Sequence, residues 1–353
     1  MDGRQIKINK IHTEPTIEHK SHKNGGRKFI ISIFIFLIFF LGLFSYRVYV
    51  SGNYFSFSYN AKESISQSEV KILIFGDMML DRNVRNVINK IGFDEFFKDI
   101  QYLVRSADIS VVNLEGPFTT YPSITADRKN KTLQFTFDPA LAPKLATFGF
   151  DILGLANNHT LNFGRSGLEQ TRRYIGNVGM IYYGEPLNKD EISTVVTRNG
   201  IRIAFVGFHE FNYVNFENVF AEIARLRPDV DVLIVTPHWG VEYQKEPTAK
   251  MTEWAQKFID SGADMVIGTH PHIVGDVGVY KGKKIYYSLG NFVFDQYFSE
   301  DTMKGLAVSI DIEKINDLSG KQPGKVNIDY IDIPLRIDRD GVRVDKKLQF
   351  PTL

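Results

Sequence analysis

The chain of 353 residues contains no cysteine. Disulfides, thiolate metal sites and cysteine nucleophiles are excluded together, so any metal must be held by His, Asp, Glu or Asn. The chain also lacks an excess of either charge, with 42 basic residues against 41 acidic ones. A whole-chain nucleic-acid binder is normally strongly basic, so no nucleic-acid partner is expected. No internal repeat is visible. With 43% apolar and 24% charged residues, the composition excludes a disordered, collagenous or coiled-coil protein.

The charge that is present is unevenly placed. Residues 1–28 carry seven basic and three acidic groups, a surplus of +4 that leaves −3 for the rest. The run FIISIFIFLIFFLGLFSY, residues 29–46, follows directly and holds no charge before Arg47. A run of that length spans a bilayer as one helix. It is longer than the apolar core of a cleaved signal peptide, and no Ala-x-Ala site follows it. The basic flank on its N-terminal side predicts residues 1–28 in the cytoplasm and the bulk of the chain outside, on a single-pass anchor in the cell membrane. Residues 47–69, rich in Ser and Asn and without clear period, predict a linker.

From Val70 onward short apolar or β-branched runs alternate with helix-period segments. The predicted strands are 70–75, 109–114, 151–156, 201–208, 231–236 and 264–268. In the segment 92–108, Phe93, Phe96, Phe97, Ile100, Leu103 and Val104 form one helical face. Segments 166–179 and 247–262 carry the same spacing, and each ends near a glycine. Such alternation predicts an α/β architecture. From residue 273 the text turns hairpin-like, which predicts a second, more antiparallel sheet.

In open α/β sheets ligands gather beyond the carboxyl ends of the strands. Asp77 follows the first predicted strand, Glu115 the second, Asn157, Asn158 and His159 the third, His238 the strand at 231–236, and His270 and His272 the strand at 264–268. Five of the eight histidines lie beyond residue 28, and four of those five stand at these strand ends. Imidazole, carboxylate and amide donors without thiolate suit one or two divalent ions such as Mn, Fe or Zn. Glu115 is placed to bridge a pair. A histidine that is not a ligand can protonate a leaving group, and His159, beside the amide of Asn158, is the candidate.

The strings GDMMLDR (76–82), NLEG (113–116), LANNHTLNFG (155–164), HWGVEY (238–243), GADMVIGTHPHIV (262–274) and YYSLGNFVFD (286–295) resemble the CapA/PgsA poly-γ-glutamate capsule-synthesis family. That resemblance, over motifs 76–295, implies a metallophosphoesterase-like (calcineurin-like) four-layer α/β/β/α sandwich occupying 70–353. It implies Asp77 and His272 on one metal, Glu115 as the bridge, Asn158, His238 and His270 on the other, and His159 as general acid. Three departures stand out, one being Thr269, which stands where the family's final motif commonly carries His. Met79 occupies a position where metallophosphoesterases carry a ligand His, and Asn162 stands where the family pattern carries Asp. Trp239, Glu242, Tyr243 and Asn291 are candidate residues for substrate contact or ligand support, while His209 reads as a surface or rim residue.

The implied function is synthesis, export or anchoring of an anionic capsule polymer, with poly-γ-glutamate expected, alongside capsule-synthesis membrane proteins. A metal-dependent hydrolase activity accompanies that reading. An extracytoplasmic phosphoesterase without a capsule role, or a non-enzymatic assembly factor, fits the same residues.

Overall fold

The computed structural model describes residues 65–127, 132–211, 215–317 and 324–348. The expected leader 1–28, anchor 29–46 and most of the linker lie outside the described residues. Among the described residues no helix is long and apolar enough to cross a membrane. All described elements fall in the compact unit Glu63–Leu353.

Two mixed sheets organise that unit. The first contains β1 (Ile65–Met78), β2 (Ile109–Leu114), β3 (Ile152–Gly154) and β4 (Ile181–Tyr183), running parallel. It is extended beyond β1 by β12 (Lys304–Asp317), β13 (Lys325–Asp338) and β14 (Gly341–Val344), all antiparallel, and by β11 (Asn291–Val293), which pairs with the end of β1. The second runs β5-β6-β7-β8-β10-β9, from β5 (Ser193–Arg198), β6 (Ile201–His209), β7 (Val232–His238), β8 (Met265–Ile267), β9 (Val277–Tyr280) and β10 (Lys283–Tyr286). Strand β1 starts at Ile65, inside the expected linker.

The apolar runs are continuous because the central strands are buried on both faces. Ile72 and Ile74 of β1 face a core between the sheets, together with Ile203, Val232 and Ile267 from the second sheet. Leu73 and Phe75 face the opposite way, into a core closed by α1 (Arg82–Ile91), α2 (Phe93–Phe97), α3 (Gln101–Arg105), α4 (Leu141–Phe148) and α5 (Gly164–Asn177). The outer face of the second sheet packs on α6 (Phe216–Leu226) and α7 (Ala249–Ser261). Helix α7 begins where the Thr248 hydroxyl accepts the Met251 N–H at 3.1 Å, and it ends at Gly262 with φ of 124°.

Two expectations change. The helix predicted over 92–108 is broken into α2 and α3, with Ile100 N–H bonded back to the Phe97 carbonyl. Its apolar face is still buried, and the break seats Phe97 against Phe148 at 5.4 Å between ring centres. The strands after residue 273 form no sheet of their own. The hairpin β9–β10 extends the second sheet, whereas β11–β14 cover the edge of β1 that would otherwise present unpaired backbone groups. At this crossing Asp77 N–H bonds the Gly290 carbonyl at 3.0 Å. A Cβ at Gly76 would stand 1.9 Å from that carbonyl oxygen, so only glycine admits the approach.

Candidate metal centre

The carboxyl ends of β1, β2, β3, β7 and β8 converge on one buried cluster. Asp77 closes β1, where Asn113 Nδ2 donates to its Oδ1 at 2.7 Å and the His270 backbone N–H donates to its Oδ2 at 3.1 Å. Glu115 follows β2 and is fully buried, and neither of its carboxylate oxygens has a hydrogen-bond partner among the described residues. Donor atoms of Asp77, Glu115 and His238 lie within 4.8 Å of one another. Burial first, and then the charge of Asp77, pushes the Glu115 carboxyl well above its ordinary range. Two buried carboxylates side by side, with both oxygens of Glu115 unpartnered, are costly without a cation and favourable around one. The donor set therefore fits a divalent ion.

The imidazoles complete the cluster. His238 Nε2 lies 2.9 Å from Asn158 Oδ1 and 3.2 Å from His270 Nδ1, so three donors meet at one point. Its Nδ1 meets the Thr269 hydroxyl at 3.0 Å and stands 3.9 Å from Asp77 Oδ1. His272 places Nδ1 3.4 Å from Asp77 Oδ2 and Nε2 3.7 Å from Glu115 Oε1. His270 and His272 flank Pro271 with φ of 99° and 59°. Such backbone is unfavourable for residues with a Cβ and persists only where the surroundings enforce it. Burial lowers His159 to about 4 and His270 to about 3, and it holds His238 well below its usual value. Near neutral pH these rings are uncharged, as metal ligation requires.

Hydrogen bonds orient two of the rings. The Phe135 N–H donates to Asn162 Oδ1 at 2.7 Å, so that oxygen accepts from His159 Nδ1 at 3.1 Å as well. His159 Nε2 is left bare, 3.8 Å from Glu115 Oε1. Asn291 donates Nδ2 to Gln296 Oε1 and to the Thr302 carbonyl, which turns its Oδ1 toward His272 Nδ1 at 3.0 Å. His272 Nε2 is then the nitrogen free to ligate. Asn162 and Asn291 thus support ligands and site histidines.

Other candidates fall elsewhere. Trp239 does not line the site. It is fully buried in the core beneath α7, and its indole N–H bonds the Tyr287 carbonyl at 2.9 Å. Met79 is also in a core, with its sulfur accepting the Asp81 N–H at 3.0 Å, so it supplies no ligand. Glu242 and Tyr243 are exposed at the rim, with the Tyr243 ring 6.2 Å from His272. His209 is buried, 1% exposed, and not on the surface. Its ring lies beside His238 because β6 and β7 pair His209 with His238 in parallel register.

Residues not singled out by their types also shape the centre. Asn113 bridges Asp77 and Asn157, receiving the Asn157 Nδ2 on its Oδ1 at 3.0 Å. Its position two residues before Glu115 was the available signal. Gln296 links Asn291 to the Tyr243 hydroxyl at 3.2 Å. Arg82, with φ of 55°, pairs with Asp295 at 3.2 Å and lies over the Phe135 ring, which packs on His159. It is a half-buried cation close to the histidine side of the cluster.

Residues 71–296 match the family model described as bacterial capsule synthesis protein PGA_cap. The capsule biosynthesis protein CapA of Bacillus anthracis is 27% identical over 65% of this chain and 60% of its own length. The PGA biosynthesis protein CapA of Bacillus subtilis (strain 168) is 31% identical over 63% of this chain and 62% of its own length. The chain thus spans somewhat under two thirds of each of these relatives. Among solved structures, a phosphatase from Mycoplasma pneumoniae aligns at 15% identity over 76% of this chain and 95% of that one, with a TM-score of 0.44. The family match runs from β1 through the Asn291 support of His272 and takes in every carboxylate, amide and imidazole of the cluster, and on that extent the chain belongs to the bacterial capsule synthesis protein family PGA_cap.

Proposed function

We propose that this protein acts in the synthesis, export or anchoring of an anionic capsule polymer, with poly-γ-glutamate as the expected polymer, through a divalent-metal site that cleaves or transfers a bond in the polymer or its carrier. The observation that carries the metal reading is Glu115, whose two buried oxygens have no partner and which lies beside Asp77 and His238. Asp77 and His272 would hold one ion, Asn158, His238 and His270 a second, and Glu115 both. Bound there, such ions supply Lewis-acid polarisation of the reacting centre.

The chain's own residues do the rest. Asn162 keeps the proton of His159 on Nδ1, so the bare Nε2 can take up a proton and return it to a leaving group. Burial disfavours the charged imidazolium, so a proton accepted there is readily given up. Arg82 offers a guanidinium to an anionic substrate close to His159, through the shared Phe135 face. The Tyr243 hydroxyl is held by Gln296 at the rim.

The same reading keeps residues 29–46 as a membrane anchor with the domain outside the cell, beside capsule-synthesis membrane proteins. A second reading, a non-enzymatic assembly factor of the same pathway, is favoured by Met79, which turns a sulfur into the core where a further ligand would strengthen one metal.

The test is metal content and turnover. The full chain, purified without chelator or metal-affinity resin, is expected to carry about one or two Mn, Fe or Zn. The pair Asp77→Ala and His238→Ala should lose them, and loaded protein should cleave an aryl phosphate or shorten poly-γ-glutamate. Metal without turnover on either substrate leaves the assembly factor. No metal after soaking in Mn²⁺ sinks the enzymatic reading.

A further inference from the structure

His209 is the one histidine beyond residue 28 to which the sequence reading gives no task, yet its surroundings are those of a ligand. Three features of its geometry bear on this. Its parallel pairing with His238 puts the two side chains on the same face of the sheet at its carboxyl end, and His238 pairs in turn with Thr269, next to His270. Its backbone is clamped from the loop after β4, where the His209 N–H donates to Asn188 Oδ1 at 3.1 Å and the Asn188 amide donates to the His209 carbonyl at 3.0 Å. Its Nδ1 lies 2.9 Å from the Pro186 carbonyl. A carbonyl only accepts, so the proton sits on Nδ1 and Nε2 carries a free lone pair.

That Nε2 is buried and has no hydrogen-bond partner among the described residues. A buried acceptor left alone is destabilising. Histidines that ligate metals, by contrast, commonly donate their other N–H to a backbone carbonyl, which fixes the tautomer and presents the bare nitrogen. The ring centre lies 6.2 Å from that of His238, and the Phe211 ring covers both His209, at 5.5 Å, and His270, at 4.3 Å. One aromatic wall therefore encloses all three imidazoles.

We propose that His209 is a further protein ligand of the metal centre, donating Nε2 to the divalent ion gathered by Asn158, His238 and His270. The assignment rests on the metal-binding reading above and deepens it. Three imidazoles, one amide oxygen and the shared Glu115 carboxylate form a nitrogen-rich set, which selects Zn²⁺ or Co²⁺ over Mg²⁺ or Ca²⁺ at this position.

The experiment titrates the full chain with Co²⁺, following stoichiometry and the visible absorption of the bound ion. In His209→Asn the side-chain amide can still donate to the Pro186 carbonyl, but the Nε2 lone pair is gone. The expected result is an unchanged far-UV circular dichroism spectrum, a Co²⁺ affinity lower by about 10- to 100-fold, and an altered absorption band. Wild-type affinity and an unaltered band in folded His209→Asn overturn the proposal and make His209 a packing residue, leaving the metal reading intact. Wild-type protein that binds no Co²⁺ overturns both. Should His209→Asn fail to fold, His209→Leu, which fills more of the ring's volume and offers no donor atom, gives the same two-way result.

Discussion

The eight-stranded sheet brings mostly oxygen donors to the centre, while the six-stranded sheet brings nitrogen. Asp77, Glu115 and Asn158 stand at the carboxyl ends of β1, β2 and β3, whereas His238, His270 and His272 stand at those of β7 and β8. The two sides meet the cost of burial differently. The imidazoles become neutral, as the depressed values of His159 and His270 show. On the oxygen side, burial and the charge of Asp77 push the Glu115 carboxyl toward its protonated form while its oxygens stay without partners, so a cation there has to displace a proton. A site of this kind is stable without metal on its nitrogen side and under electrostatic stress on its oxygen side.

The sharpest break of that contrast is Glu115→Gln. It should abolish the rise in melting temperature that Mn²⁺ gives wild-type protein, a rise equivalent to about 2.7 kcal/mol at 100 times Kd. The metal-free melting temperature should not fall, because burial beside Asp77 already disfavours the charged carboxylate that the amide replaces. Thermal melts with and without Mn²⁺ decide, and a retained Mn²⁺ shift in Glu115→Gln would remove the oxygen side from the argument.

Asn291→Ala should act next, on the nitrogen side. His272 Nδ1 loses its acceptor, and the ring loses the orientation that presents Nε2, so metal affinity should drop by about 10- to 100-fold. Isothermal titration reads this, and an unchanged affinity would mean that His272 is held by packing alone.

The pH dependence of the metal-free protein separates the two sides by sign. His159 and His209 titrate near 4 in the folded state against 6.5 when free, so the folded protein binds fewer protons between those values. Their contribution to stability rises with pH from about 4 to 6.5. Glu115 is shifted upward from 4.5, so the folded protein binds more protons there, and its contribution falls as pH rises from 4.5 through the raised value. Denaturant unfolding in chelator should show both slopes in wild-type protein. Glu115→Gln should keep the histidine rise and lose the opposing fall.

The smallest effect is expected at Trp239, which packs behind the nitrogen side. Trp239→Phe leaves the Tyr287 carbonyl without its indole donor and should cost about 1–2 kcal/mol of stability with metal affinity unchanged. A loss of metal affinity would put Trp239 back at the site.

Much of this centre was legible because strand ends are marked in the chain. A run such as ISVVNL is apolar on both faces, so it reads as a buried strand, and β2 covers those same residues. The residue beyond it is then at the site edge, which is how Glu115 and His238 could be found from their neighbours alone. The α/β class was legible for the same reason. Directions were not legible. Trp239 directly follows His238, yet it points into the core of the opposite face, since successive residues leaving a strand diverge. His209 read as a rim residue because nothing local reveals that the loop after β4 closes over it. The sheet assignment of β11–β14 depends on which open edge needs a partner, a property of the assembled fold.

The sequence by itself determined which donors exist and at which strand ends they stand, because the absence of cysteine and the apolar runs leave few alternatives. The tertiary structure decided which nitrogen of each ring is free, which residues turn into a core, and that two carboxylates share one buried cluster. Those outcomes follow from register and hydrogen bonding between segments far apart in the chain, such as His272 with Asn291 and Asp77 with His270, and no local pattern encodes them.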